Sequence, residues 1–187
     1  MRFFIALEIP EESKRQLAEV QQQLQQIIPQ ARLTLAEKLH LTIAFIGEQP
    51  DELTGQLVEL IKKAVTGISP FEVTPAYIDG FPKLHHPHTL WIGVKGDIDK
   101  LLLIRERIKD SLVNLKLAVD ERRYTPHIAV AKINNNFNLD PSAEAKLQQL
   151  MTQKFQSIKI TSIKLFESIP EGGLHRHNTL AQIPLNR

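Results

Sequence analysis

Two histidines, His40 and His127, begin two similar segments of the sequence, HLTIAF and HIAVAK. Histidine is the side chain whose ordinary pKa allows both the neutral and the charged form near neutral pH. Two imidazoles that face each other across a cleft suit acid–base chemistry on a phosphate ester. The neutral ring takes a proton from the attacking nucleophile, and the charged ring gives a proton to the leaving oxygen. A single histidine at a strand end is more often structural, so the hypothesis depends on the recurrence.

The two segments differ in the residue that follows each histidine by two places, Thr42 in one and Ala129 in the other. Side chains two residues apart on a strand share a face, and Thr125 shares the face of His127 in the same way. A hydroxyl beside each histidine would hold the non-bridging phosphate oxygens. The methyl of Ala129 cannot donate a hydrogen bond, so that bond is lost or is supplied by Thr125 or by water.

The loss of one preorganised donor costs about 2.7–4 kcal/mol of transition-state stabilisation in comparable sites. Because both histidines are present, the pattern predicts slower catalysis. The alternative is a site that binds its ligand without turnover.

Two further residues are candidates for contact with an anionic nucleotide. Arg122 precedes the second histidine segment, and a guanidinium matches a phosphate with two hydrogen bonds; a solvated surface charge is the alternative. Phe45 is predicted on the His40 face, where a nucleobase could stack on its ring. A place in the hydrophobic core is an equally good interpretation of Phe45.

The segment KLHHPHT contains three histidines, His85, His86 and His88, and short histidine-rich tracts can bind metal. No cluster of carboxylates accompanies them and their spacing is not that of a helical metal site. They are better interpreted as loop residues at the surface or at the edge of the substrate. The same interpretation applies to His175 and His177, and the sequence predicts no metal site and no cofactor.

The composition sets limits on the class of protein. The chain has 187 residues with 42% hydrophobic and 24% charged residues, no cysteine and a net charge of +2. Disulfides, thiolate chemistry and cysteine-based zinc sites are excluded, and so mild a charge requires a local cluster to hold an anion. The first 15 residues, MRFFIALEIPEESKR, predict a strand and not a signal peptide. We expect a cytoplasmic protein without a membrane partner, and a monomer by default.

Periodicity predicts alternating strands and helices that repeat along the chain. The predicted strands cover 3–9, 40–46, 71–78, 89–95, 127–133 and 155–168, and the predicted helices cover 11–28, 53–64, 101–115 and 143–150. Asp140 is a plausible N-cap of the last helix, with Pro141 at its first position. Phe4 precedes His40 by 36 positions, and Trp91 precedes His127 by the same 36.

The matched offsets indicate an internal duplication, over about 1–80 and 88–170, although alternating elements are common in α+β domains. The sequence therefore predicts a single α+β domain over 1–187 with two similar lobes related by a pseudo-two-fold axis. Antiparallel-rich sheets would line a central cleft with the helices outside. The join is expected at 79–89, which is rich in loop-forming residues.

The histidine segments also carry a resemblance. HLTIAFIGE and RRYTPHIAVAK resemble the two signature motifs of the 2H phosphoesterases, and most closely those of the RNA 2′,3′-cyclic phosphodiesterases, also called the 2′-5′ RNA ligase family. The likeness extends to MRFFIALEIP, GFP, LWIGV and LFES and covers essentially the whole chain. One His-x-Thr is a weak signal, but the pair, 87 positions apart with a proline before the second histidine, is specific.

The resemblance implies a bilobal, metal-independent enzyme that hydrolyses a 2′,3′-cyclic phosphate, on RNA ends or small nucleotides, to a 2′-phosphomonoester. It implies that His40 is the proton donor, that His127 is the proton acceptor and that Thr42 holds the phosphate. Reversible 2′-5′ RNA ligation is a further activity of the family. Ala129 departs from the family pattern, so a non-catalytic RNA- or nucleotide-binding module on the same fold is the alternative.

Overall fold

The computed structural model describes residues 1–134 and 136–186, in which nine strands form one antiparallel sheet and four helices pack against it. This confirms the predicted α+β class. The strands are Arg2–Glu8 (β1), Arg32–Leu33 (β2), His40–Glu48 (β3), Phe71–Pro82 (β4), Pro87–Gly96 (β5), His127–Lys132 (β6), Ile158–Ile160 (β7), Ser162–Glu171 (β8) and Leu174–Pro184 (β9). The helices are Glu11–Ile27 (α1), Thr54–Ala64 (α2), Ile98–Asn114 (α3) and Pro141–Leu150 (α4).

The two strands that begin with histidine lie at the centre of the sheet. Its order is β7-β4-β5-β6-β3-β1-β8-β9, with β2 paired to β6 as a side branch. A bridge between Leu41 and Ile128 joins β3 to β6. The two predicted sheets are therefore the two halves of one continuous sheet.

Each half of the sheet combines strands from both halves of the sequence. β4, which ends the first predicted repeat, pairs with β5 of the second repeat. β8, which ends the second, returns to pair with β1. The order β3-β1-β8 on one side thus matches β6-β5-β4 on the other, and the two lobes are interlocked through exchanged strands.

The two faces of the sheet differ in what covers them. One face of β1 is buried in the main hydrophobic core together with the apolar faces of the helices. Its residues there are Phe3, Ile5 and Leu7. The residues between them belong to a small separate cluster of Phe4, Ala6 and Phe166. Burial of one large apolar side chain stabilises the fold by about 1.5–3 kcal/mol, so the helix-covered face supplies the stability and the other face is left for a site.

The observed elements differ from the predicted ones after residue 155. The strand region 155–168 is two strands separated at Thr161, because β7 pairs with β4 whereas β8 pairs with β1. The segment 79–89, where the join is expected, contains the β4–β5 hairpin, and residues 83–86 form its turn. β9 was not predicted. The predicted cap of α4 is present, since the Ala143 amide donates to Oδ1 of Asp140 at 2.8 Å.

No helix in the described part of the chain is long and apolar enough to cross a membrane.

Candidate active site

The strands β3 and β6 overlap only near their first residues, where the histidines lie. They run antiparallel and are bridged at Leu41 and Ile128, and beyond that point β6 pairs with β2. His40 and His127 each stand one residue before the bridge on their own strand. The local pseudo-two-fold axis therefore passes between the two histidines.

The register places both motifs on the face of the sheet that the helices do not cover, called the open face below. Leu41 and Ile128 point into the core, so the residues on either side of each point to the opposite face. Continuing the register by one residue sets His40 opposite Ala129 and Thr42 opposite His127.

Side chains directly opposite each other in an antiparallel pair have Cβ atoms about 4.5–5.5 Å apart, and diagonal neighbours such as His40 and His127 are about 7–8 Å apart. The second spacing leaves room for a phosphate between the two imidazoles.

The ring of His127 is fixed by a hydrogen bond to the segment before its strand. Nδ1 donates to the backbone oxygen of Thr125 at 2.7 Å, because a carbonyl can only accept. Burial lowers the pKa of His127, and the bond to Thr125 opposes that shift. The neutral ring therefore has its proton on Nδ1 and presents an unprotonated Nε2, which is the form required of a proton acceptor.

His40 is held by aromatic rings. Its ring centroid lies 4.9 Å from that of Phe166 and 5.9 Å from that of Phe4. Burial is the main cause that lowers the pKa of His40 to about 4, followed by the charges of His177 and Lys14. The unliganded ring is therefore neutral at pH 7, and an anion bound against it would raise its pKa.

Lysine side chains surround the His40 end of the site. The charges of Lys14 and Lys164 act on His40, and the charge of Lys38 acts on His177. Lys164 pairs with Glu8, which is opposite His40 on β1. The three lysines bring positive charge to the His40 end of the site, and two of them, Lys14 and Lys164, also pair with Glu11 and Glu8. Sequence reasoning did not single them out.

His177 contacts His40 from a strand that the sequence did not predict. The sequence predicts a loop residue at the surface or at the edge of the substrate, and the structure shows His177 half-buried on a strand, β9, with its ring centroid 5.1 Å from that of His40. The glycine pair Gly172 and Gly173, both with positive φ, makes the tight turn that returns β9 along β8. A Gly-Gly pair between two strand-like runs is a hairpin signal, and it could have revealed β9.

Phe45 lies on the open face because of a β-bulge. Ile43 has no partner on β1, since Ile5 pairs with Ala44 while Ala6 pairs with Thr42. The extra residue inverts the alternation and brings Phe45 opposite Phe4, with ring centroids 6.1 Å apart. The side chain is 72% exposed, which excludes the core interpretation.

A second group of aromatic rings borders His127. The ring centroids of Phe81 and Trp91 lie 5.0 and 5.5 Å from that of His127. Tyr77 crosses the strand at Gly93, which is paired with His127, and a Cβ at Gly93 would stand 2.1 Å from the tyrosine ring. Glycine at this position therefore allows Tyr77 to lie against β5 and contact Trp91 by its edge.

Arg122 lies in the loop before β6 with its guanidinium bound to Asp120. Nη2 stands 2.7 Å from the carboxylate and the side chain is 88% exposed. Hydrogen bonds from Arg122 lower the pKa of Asp120 to about 2. The polar contacts described for Arg122 are all with Asp120, so a phosphate would have to compete for this guanidinium.

A buried arginine supports the β3 strand from behind the site. Arg105 on α3 donates to the backbone oxygens of Ile43 and Asp120, each at 3.2 Å, and lies 5.3 Å from the ring of Tyr124. The hydroxyl of Tyr124 in turn donates to the backbone oxygen of Thr42 at 2.9 Å. These contacts join β3 to the loop that carries Thr125. They were not predicted from the sequence.

The histidine-rich segment makes contacts away from these rings. His85 is 3.6 Å from a carboxylate oxygen of Glu144, and Nδ1 of His86 lies 2.8 Å from the side-chain oxygen of Asn138. Within residues 1–134 and 136–186, no three histidine, aspartate or glutamate side chains are arranged to hold a metal ion.

Known proteins share this sequence pattern. The family model of the 2′-5′ RNA ligase superfamily matches residues 9–168. A Methanocaldococcus jannaschii protein named RNA 2′,3′-cyclic phosphodiesterase is 28% identical over 177 residues, which cover 94% of this chain and 96% of that protein. A Thermotoga maritima protein of the same name is 28% identical over 133 residues, covering 71% and 70% of the two chains.

Solved structures share the fold. The TT0787 protein of Thermus thermophilus superposes with a TM-score of 0.83 at 19% identity, over 99% of this chain and 98% of that one. Escherichia coli LigT complexed with 3′-AMP superposes with a TM-score of 0.78 at 19% identity, over 100% and 98%. The family model spans most of the sequence, including both histidine motifs, and the chain therefore belongs to the 2′-5′ RNA ligase superfamily of 2H phosphoesterases.

Proposed function

We propose that the protein hydrolyses the 2′,3′-cyclic phosphate of RNA ends or small nucleotides to a 2′-phosphomonoester. The observation that carries this proposal is the register of β3 and β6, which makes His40 and His127 diagonal neighbours across the bridge on the face of the sheet without helices. The names of the relatives in Methanocaldococcus and Thermotoga support it. Two imidazoles can supply both proton transfers, so the proposed reaction uses no metal.

The hydrogen bond from His127 to Thr125 supports His127 as the base. With Nδ1 bound to the Thr125 oxygen, Nε2 accepts a proton from water as the water oxygen forms a bond to phosphorus. The bond from phosphorus to the 3′ oxygen breaks, and His40 donates a proton to that oxygen. The product carries the phosphate on the 2′ oxygen, and the two histidines have exchanged their protonation states.

The phosphate itself makes His40 an acid. Its pKa of about 4 leaves the ring neutral in the unliganded protein, and a phosphate anion beside it favours the charged ring. The hydroxyl of Thr42, opposite His127, donates a hydrogen bond to a non-bridging phosphate oxygen. The exposed ring of Phe45 offers a surface on which the base can stack, and Arg122 contacts the phosphate only if it leaves Asp120.

The test is hydrolysis of 2′,3′-cyclic AMP, with the position of the product phosphate determined by phosphorus NMR. His40→Ala and His127→Ala are each expected to lower kcat by at least about 10²-fold, the low end for removal of a general acid or base. His88→Ala, outside the site, is the matched control. Turnover should persist in excess EDTA; near-normal turnover by either variant contradicts the two-histidine mechanism.

The second candidate is a nucleotide-binding module without turnover, and Ala129 is the observation that favours it. In that case the wild-type protein binds a 2′-nucleotide but leaves 2′,3′-cyclic AMP intact. Ligation of a 5′-hydroxyl end to form a 2′-5′ linkage is the same displacement at the same site, with the 5′-hydroxyl in place of water and the 3′ oxygen again leaving; its reverse cleaves the 2′-5′ linkage. We place the activity in the cytoplasm and expect a monomer to suffice.

A further inference from the structure

We propose that the imidazole of His177 donates the hydrogen bond to phosphate that the missing hydroxyl at Ala129 would otherwise supply. This inference rests on the proposed function, because it requires a phosphate between His40 and His127. It explains how the site can lack one of its two hydroxyls and retain a donor on each side of the phosphate.

The first support is the reach of His177 across the sheet. β9 stands three places from β3 in the strand order, with β1 and β8 between them. Flat neighbouring strands lie about 4.8 Å apart, so a flat sheet would separate these two backbones by about 14 Å. The rings of His40 and His177 are instead 5.1 Å apart. The length of the two side chains and the curl of the sheet together close this distance, so β9 borders the first histidine.

The second support is a comparison of the two ends of the site. His127 has the hydroxyl of Thr42 opposite it and the ring of Phe81 beside it, with centroids 5.0 Å apart. His40 has the methyl of Ala129 opposite it and the imidazole of His177 beside it, at 5.1 Å. Each histidine thus has one neighbour that can donate a hydrogen bond and one that cannot: Thr42 and Phe81 for His127, and His177 and Ala129 for His40.

The third support is the state of the His177 ring. Nδ1 is buried, with no hydrogen-bond partner among the residues that the structure describes. The edge-on ring of Phe4 lies 4.8 Å away, centroid to centroid. A buried N–H without an acceptor is costly, so the proton is on Nε2 and that nitrogen is the donor to a ligand.

The charge of His177 suits a donor next to a general acid. Burial, followed by the charges of Lys38 and His175, lowers its pKa. A neutral His177 donates through one N–H without adding a second positive charge beside His40. Its neighbour His175, two residues away on the same strand, has its Nδ1 hydrogen-bonded to the hydroxyl of Ser168 at 3.2 Å.

A double-mutant cycle tests the exchange of donors. His177→Phe keeps a ring against Phe4 but removes the N–H, and it should lower kcat/KM for 2′,3′-cyclic AMP by about 10²–10³-fold. Ala129→Thr should raise kcat/KM less in the wild-type background, where His177 already contacts the phosphate, than in the His177→Phe background. In the His177→Phe background, the same Ala129→Thr change should recover most of the loss.

Two controls distinguish the loss of a hydrogen-bond donor from damage to the packing of β9 around His40. His177→Gln retains a side-chain N–H and should keep more activity than His177→Phe. His175→Phe places the same change on the same strand and should leave kcat/KM close to that of the wild type. The inference is overturned if His177→Phe is as active as the wild type, or if Ala129→Thr raises kcat/KM equally in both backgrounds.

Phosphate affinity makes the test independent of turnover. Titration with inorganic phosphate, followed by NMR, should show weaker binding by His177→Phe than by the wild type, and Ala129→Thr should restore it. If the wild type does not hydrolyse 2′,3′-cyclic AMP, the proposed function fails, and the phosphate titration still decides the inference. Equal phosphate affinity in wild type and His177→Phe overturns it.

Discussion

At the scale of single residues, the two central histidines are held in different ways, and the difference suits different roles. His127 is oriented by a 2.7 Å hydrogen bond from Nδ1, which fixes the tautomer that accepts a proton at Nε2. His40 packs against Phe4 and Phe166. Burial lowers the pKa of both rings. The charged form of His40 is therefore favoured only when an anionic ligand is bound, whereas the neutral form of His127 is favoured without one.

These pKa values predict the pH dependence of the reaction. The active form has His40 charged and His127 neutral, and kcat/KM reports the pKa values of the free enzyme. Both are lowered from 6.5, that of His40 to about 4. Above both values the fraction with His40 charged falls about tenfold for each pH unit, so kcat/KM should decline as pH rises beyond 6.5.

Bound phosphate raises the pKa of His40, so the alkaline limb of kcat should lie at higher pH than that of kcat/KM. Initial rates with 2′,3′-cyclic AMP over the acidic and neutral range measure both limbs. A kcat/KM that is flat or rising above pH 6.5 would contradict the assignment of His40 as the acid.

At the scale of elements, the contacts of α3 decide how β3 meets the loop before β6. Arg105 is buried and donates to one backbone oxygen on each, Ile43 and Asp120. Arg107 on the same helix makes two similar bonds elsewhere, to the backbone oxygens of Ala64 and Thr66. Each arginine thus donates two hydrogen bonds to backbone oxygens, Arg105 near the site and Arg107 remote from it, and the two can be compared directly.

Arg105→Leu should lower both stability and activity, whereas Arg107→Leu should lower stability only. A hydrogen bond from a charged donor contributes about 1.5–3 kcal/mol, and for a chain of this size each kcal/mol lowers Tm by about 2–4 °C. Thermal unfolding and kcat, the latter measured well below both Tm values, separate the two effects. Equal kcat in the two variants would show that Arg105 does not position the site.

The elements also show where prediction from the sequence ends. Helix α1 and strands β1, β3 and β6 have strong local periodicity, and their bounds were predicted to within about two residues. The bulge at Ile43, the division between β7 and β8 at Thr161 and the whole of β9 depend on pairing with distant strands, which no local pattern contains. The contact of His177 with His40 was not predicted for this reason, since it depends on the pairing of β9 with β8 and of β8 with β1.

At the scale of the whole molecule, the exchange of strands makes the two halves of the sequence depend on each other. β4 is paired along most of its length with β5, and β8 is paired with β1 over residues 164–168. An isolated half would leave these strand edges unpaired and expose apolar side chains of the main core. The bridge between β3 and β6 adds a third connection. The site itself is divided, since His40 and His127 belong to different halves.

The division can be tested by cutting the chain in the turn of the β4–β5 hairpin. Fragments 1–84 and 85–187 should each be largely unfolded when expressed alone, because each lacks the partners of its exchanged strands. Mixed together, they should assemble, since the pairing of β4 with β5 and of β1 with β8 does not require a covalent link. Circular dichroism of each fragment and of the mixture measures folding, and hydrolysis of 2′,3′-cyclic AMP measures the rebuilt site.

Mixing a His40→Ala fragment with the wild-type second fragment should restore folding without activity. Cooperative unfolding of either fragment alone would show that the lobes are independent and that the exchanged strands are not what joins them.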